Sequence, residues 1–96
     1  MKNVMENNAG GISSKEQVVE TVIDIFVREI GFIEREEVSL NTNVVKDFHI
    51  YTDDLSLFAL AVEKHFNIKP SPKEWLNVET IEEIADFVLR YLSKKE

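Results

Sequence analysis

Three segments of this chain carry the signature of a helix start. Ser13-Ser14-Lys15-Glu16, Ser71-Pro72-Lys73-Glu74 and Thr80-Ile81-Glu82-Glu83 each place a hydroxyl residue three positions before a Glu. In such a capping box the hydroxyl and the carboxylate satisfy backbone N–H groups that the first turn of a helix leaves free. Behind the first box, Val18, Val19, Val22, Ile25, Phe26 and Ile30 recur at helical spacing, and Gly31 offers a left-handed stop. Several of these residues are β-branched and would suit a strand, but the length of the pattern decides for helix. The second box puts Pro72 at the first helical position, opening a short helix that should end near Leu76. The third leads a helix with Ile81, Ile84, Ala85, Val88 and Leu92 on one face. Another helix should begin at Thr52 or Asp53 and run to about Phe66, since Thr and Asp cap well and Asp53-Asp54 favours the positive end of the dipole. No segment alternates as a strand does. The pattern predicts an all-α four-helix bundle, with three main helices, one short helix and a long first loop.

That loop runs from Phe32 to Tyr51 and has no clear period. Its apolar residues Leu40, Val44, Val45, Phe48 and Ile50 are expected to tuck under the domain. A loop of this length in a small domain is more often functional than not. The chain's 96 residues suit a single domain. Residues 1–13, Asn-rich with a Gly pair, read as a flexible tail; 14–93 read as the helical domain and 94–96 as a C-terminal tail. With 44% hydrophobic and 30% charged residues, the composition is that of a folded soluble domain. There is no apolar run suited to a signal segment or a membrane span, so the expected compartment is cytoplasmic, with no membrane partner.

The chemistry of a catalyst is thin. There is no cysteine, and so no thiol nucleophile, disulfide or thiolate metal site. His49 and His65 form no metal-ligand pair, and Asp47, Asp53 and Asp54 are better explained as capping and solubilising groups, so no metal is expected. A formal charge of −7 argues against a nucleic-acid partner. The helix from Thr52 to Phe66 is more informative. Leu55, Phe58, Ala59, Val62 and Phe66 make its core stripe, while Leu57, Leu60 and Lys64 fall on the opposite side, rimmed by Asp53 and Glu63. Two outward leucines on one face make a candidate docking patch, unless the third or fourth helix covers them.

From Ser14 to Leu92 the sequence resembles the acyl carrier protein family. The resemblance rests on Glu36-Glu37-Val38-Ser39 and Asp47-Phe48 in the first loop and on Leu55 to Phe66, ending Glu63-Lys64-His65-Phe66. It continues through Val78 to Val88 with Thr80-Ile81 and Asp86-Phe87. It implies a non-catalytic protein that carries 4′-phosphopantetheine on a hydroxyl, and whose second helix meets partner enzymes. The family's Asp-Ser-Leu-Asp segment aligns with Tyr51-Thr52-Asp53-Asp54, which keeps its last Asp and departs at the other three positions. Thr52 stands at the attachment position, with Ser56 one turn further on as a second hydroxyl. A helix start favours a phosphate ester there. A secondary alcohol is more crowded than a primary one, Asp53 adds a negative charge, and Tyr51 replaces a carboxylate that helps hold the transferase's metal.

The resemblance further implies Asp54, Leu57, Leu60, Glu63 and Lys64 as the partner-binding residues. Expected partners are a phosphopantetheinyl transferase and acyl-processing or biosynthetic enzymes, met by a monomer. With two leucines and a lysine on this face, recognition should be more apolar than in the fatty-acid branch, as in polyketide or peptide-type carriers. Trp75 is expected to pack on Val62 and Val78; alternatively, it narrows the cleft in which such carriers shelter a cargo. The readings left open are a carrier with Thr in place of Ser, an unmodified carrier-fold interaction module, and, for Thr52 itself, a plain helix N-cap.

Overall fold

The computed structural model describes residues 14–94. The expected tail 1–13 and the last two residues of the expected tail 94–96 lie outside that range. The chain forms α1 (Lys15–Ile30), a turn of 3-10 helix (Arg35–Glu37), α2 (Thr52–Phe66), α3 (Pro72–Trp75) and α4 (Ile81–Lys94). This is the all-α four-helix arrangement read from the sequence, with a 21-residue connection, 31–51, between α1 and α2.

α1 is the central helix and packs against both α2 and α4. Its position explains its composition: Val18, Val19, Val22, Ile23, Ile25, Phe26 and Ile30 are all buried, more than one stripe of a surface helix. Fully buried Phe26 is the hub of the aromatic core, 5.2 Å from Phe58 of α2 edge-on and 6.1 Å from Phe48 of the loop. α2 contributes Phe58 and Val62, and α4 contributes Ile81, Ile84, Ala85, Phe87 and Val88. Gly31 ends α1 at φ 89°, and Asn67 ends α2 in the same left-handed region at φ 56°. These are the two residue types that tolerate it best.

The first capping box sits one residue later than expected. Ser14 is the N-cap, its Oγ accepting from the Gln17 N–H, while the Gln17 side chain accepts from the Ser14 N–H. Gln serves as well as Glu in this role. The boxes at Ser71 and Thr80 form as read.

The long loop is less tucked than its sequence suggests. Val44 is buried and Phe48 and Ile50 are half-buried, but Leu40 and Val45 stand exposed. The loop is ordered instead by polar geometry. Asn43 Oδ1 accepts from the N–H groups of Val45 and Lys46, and the Asn43 N–H donates to Asp47 Oδ2. Asn43 also pairs with Thr80 across an isolated antiparallel bridge. This fastening completes the start of α4: the Ile81 and Glu82 N–H groups donate to the carbonyls of Thr42 and Leu40, and the Glu83 N–H donates to Thr80 Oγ1. The N–H groups left without partners by the helix geometry are thus met by the loop.

Candidate functional site

α2 begins with an unusual cap. Tyr51 holds the N-cap position in extended conformation and makes no side-chain capping bond. Thr52 is therefore the first helical residue, which overturns the reading of Thr52 as a plain N-cap. Among the described residues its hydroxyl makes no hydrogen bond, and the residue is exposed. The first intrahelical bond runs from the Leu55 N–H to the Tyr51 carbonyl. The N–H groups of Thr52, Asp53 and Asp54 thus remain at the positive end of the helix dipole, beside the carboxylates of Asp53 and Asp54.

Thr52 opens on a cleft of about 420 Å³ between α2, α3 and the loop. Leu55, Phe58, Trp75 and Val78 give it a mainly apolar lining. Ser56 lines the same cleft one helical turn further in. Both candidate hydroxyls therefore face one hollow. Tyr51 stands 79% exposed beside its mouth in the chain, and Leu76, 78% exposed, forms part of the rim. Leu76 enters the sequence pattern only as the end of the short helix, and its place on the rim is visible only in the fold.

The outer face of α2 carries Leu57 and Leu60, 54% and 45% exposed, with exposed Lys64 following in the same row. α3 and α4 leave these leucines uncovered. Half-buried Asp54 lies at the head of this row and makes no ion pair among the described residues. Glu63 behaves differently: it turns toward α3, where its Oε2 accepts from Trp75 Nε1–H at 2.7 Å. A half-buried Trp needs a partner for its N–H, which was the signal available in the sequence. Which acceptor it finds depends on how α3 folds back. Trp75 also meets Phe87 edge-on at 4.9 Å, and Phe87 meets Tyr91 at 5.3 Å. The Tyr91 hydroxyl donates to Glu74 Oε1, and this bond is the main cause that holds the phenol above its ordinary pKa.

His49 and His65 are both exposed, and His65 stacks edge-on with Phe66. Among the described residues no group of three His, Cys, Asp or Glu side chains is placed to hold a metal ion, and no helix is long and apolar enough to cross a membrane.

No protein-family model matches this sequence, and neither does any curated protein. Among solved structures, it is similar to the acyl carrier protein from Enterococcus faecalis, whose high thermal stability has been attributed to novel structural components. The TM-score is 0.67 at 22% identity, covering 82% of this chain and 99% of that one. The chain has the acyl carrier protein fold.

Proposed function

We propose that this chain is an acyl-carrier-like protein with a variant attachment site, modified on Thr52. The observation that carries this reading is the placement of Thr52: an unengaged, exposed hydroxyl at the first residue of α2, on the lip of an apolar cleft. The residues suit a phosphodiester, because three main-chain N–H groups and the helix dipole favour an anion there. The chemistry the group supplies is a terminal thiol that holds an acyl or aminoacyl cargo as a thioester. Thr52 would bear the arm through its oxygen, while Leu55 and Phe58 offer apolar surface to the cargo. The chain itself would catalyse nothing and would act as a cytoplasmic monomer.

Its partners, a phosphopantetheinyl transferase and acyl-processing or biosynthetic enzymes, would dock on the outer face of α2. Leu57 and Leu60 are the apolar anchors, with Asp54 and Lys64 as charged rim. A fatty-acid, polyketide or peptide-type pathway is compatible with such a surface.

A second reading is supported by the segment Tyr51-Thr52-Asp53-Asp54. The carboxylate of Asp53 beside Thr52, and Tyr51 where the family has Asp, both oppose modification. They favour an unmodified carrier-fold interaction module that keeps the docking face. Intact mass separates the two. The protein is weighed as purified from its host, and again after incubation with coenzyme A and a broad-specificity phosphopantetheinyl transferase. A gain of one phosphopantetheine, mapped to Thr52 or Ser56, is the result expected of a carrier. No gain in either sample favours the unmodified module.

A further inference from the structure

α3 has four residues, too few to hold a helix by its own hydrogen bonds. Its position is set from outside. From α2, the Glu63 carboxylate holds the Trp75 indole N–H; from α4, Tyr91 holds the Glu74 carboxylate. Between them lies the edge-on pair of Trp75 and Phe87. A charge-assisted bond of 2.7 Å on one side of the indole and a ring contact on the other leave it little rotational freedom.

The Trp75–Phe87 pair has a hollow of different character on each side. On one side is the apolar cleft of about 420 Å³ that carries Thr52 and Ser56. On the other is a depression of about 360 Å³, lined by Phe87 and by the charged side chains Glu74, Glu83, Asp86 and Arg90. Trp75 lines the first, Phe87 lines the second, and Val78 lines both. The Trp75–Phe87 pair is thus the partition between them. An apolar chain entering from Thr52 meets the indole, and past it would meet carboxylates that it would have to desolvate.

We propose that Trp75, positioned by Glu63, sets the length of chain the cleft accepts, and that the cleft is fitted to a short, uncharged apolar group tethered at Thr52. The nature of the cargo rests on the carrier reading above; the wall does not. Long chains are excluded by a side chain that a single substitution removes.

The absence of cysteine and the presence of one tryptophan make the test direct. In a Thr52→Cys variant of the full chain, the new thiolate attacks an alkyl methanethiosulfonate, forms a mixed disulfide and releases methanesulfinate. One sample receives a propyl group and another a dodecyl group. The readouts are melting temperature and Trp75 emission. The expected result is that propyl raises the melting temperature by several degrees and shifts the emission, while dodecyl adds nothing further. When Trp75→Leu or Glu63→Ala is added, dodecyl should stabilise more than propyl. Glu63→Gln keeps an acceptor for the indole and should restore the limit. If Trp75→Leu fails to fold by circular dichroism, the Glu63→Ala and Glu63→Gln pair decides. A dodecyl chain that stabilises the Thr52→Cys protein more than propyl does, or no effect of either chain, overturns the proposal. So does Glu63→Ala behaving as its parent. The tether needs no transferase, so a chain that never gains phosphopantetheine can still pass this test, and a modified one can still fail it.

Discussion

Thr52 differs from a serine by one methyl group, and on the carrier reading that methyl governs how readily the protein is loaded. The hydroxyl is exposed and unbonded, so the obstacle is local crowding together with the neighbouring charge of Asp53. Thr52→Ser should speed modification by a broad-specificity transferase by about tenfold or more, an effect on the order of 1.4 kcal/mol in the barrier. Adding Asp53→Leu should speed it again. The rate of mass gain in coenzyme A measures both, and a Thr52→Ser protein no faster than the parent would remove steric crowding as the cause. That a helix starts at about Thr52 was legible in the sequence, because Thr52, Asp53 and Asp54 lead a helical run of apolar residues. The bond from Trp75 to Glu63 was not, because those residues lie twelve apart and meet only after α3 turns back on α2. Glu63 sits next to Lys64 in the chain, yet one faces α3 and the other faces solvent.

At the level of elements, capping chemistry was the readable part. Gly31, Pro72 and the boxes at Ser71 and Thr80 all take the places that their sequence assigns. The helix with the least orthodox cap, α2, is the one that bears the candidate site, and Tyr51 there closes no box. At α4, Thr80→Ala should cost about 1 kcal/mol, read as a lower melting temperature. Glu83 accepts from the Glu79 and Thr80 N–H groups, and these bonds hold its carboxyl below the usual carboxylate range, Glu79 being the larger cause. Because the folded value is the lower one, this contribution is complete above the unfolded carboxylate value of 4.5 and is lost as pH falls through the folded value. The melting temperatures of the parent and Glu83→Gln should therefore differ near neutral pH and converge in acid. A constant difference across that range would mean that ionisation of Glu83 adds nothing.

Over the whole molecule, the apolar residues divide into a closed core and a set left exposed, Leu57 and Leu60 among them. Composition predicts a core but cannot say which leucines stay outside it. Leu57 and Leu60 remained uncommitted in the sequence because their covering depended on where α3 and α4 would lie. The loop misled for a related reason: Leu40 and Val45 look like core residues, but it is Asn43 and the start of α4 that fix the chain there. Since neither leucine supports the core, Leu57→Asp and Leu60→Asp should leave the melting temperature within about 3 °C of the parent, the range of surface substitutions in a domain of this size. Both should abolish co-purification of any enzyme that docks on this face. A loss of several degrees would instead assign these leucines a structural role.

The Val44 N–H donates to the Glu79 carbonyl at 2.8 Å, so the stretch of chain between them begins and ends at one place. All of α2 and α3 lies within that excursion. A segment whose two ends meet side by side is a natural unit for transplantation, because both junctions with a host lie at one place. A host that keeps the α1 surface matching Phe58 and Val62, and the α4 rings Phe87 and Tyr91, could therefore receive residues 44–79 as one graft, and with them the cleft and its docking face together.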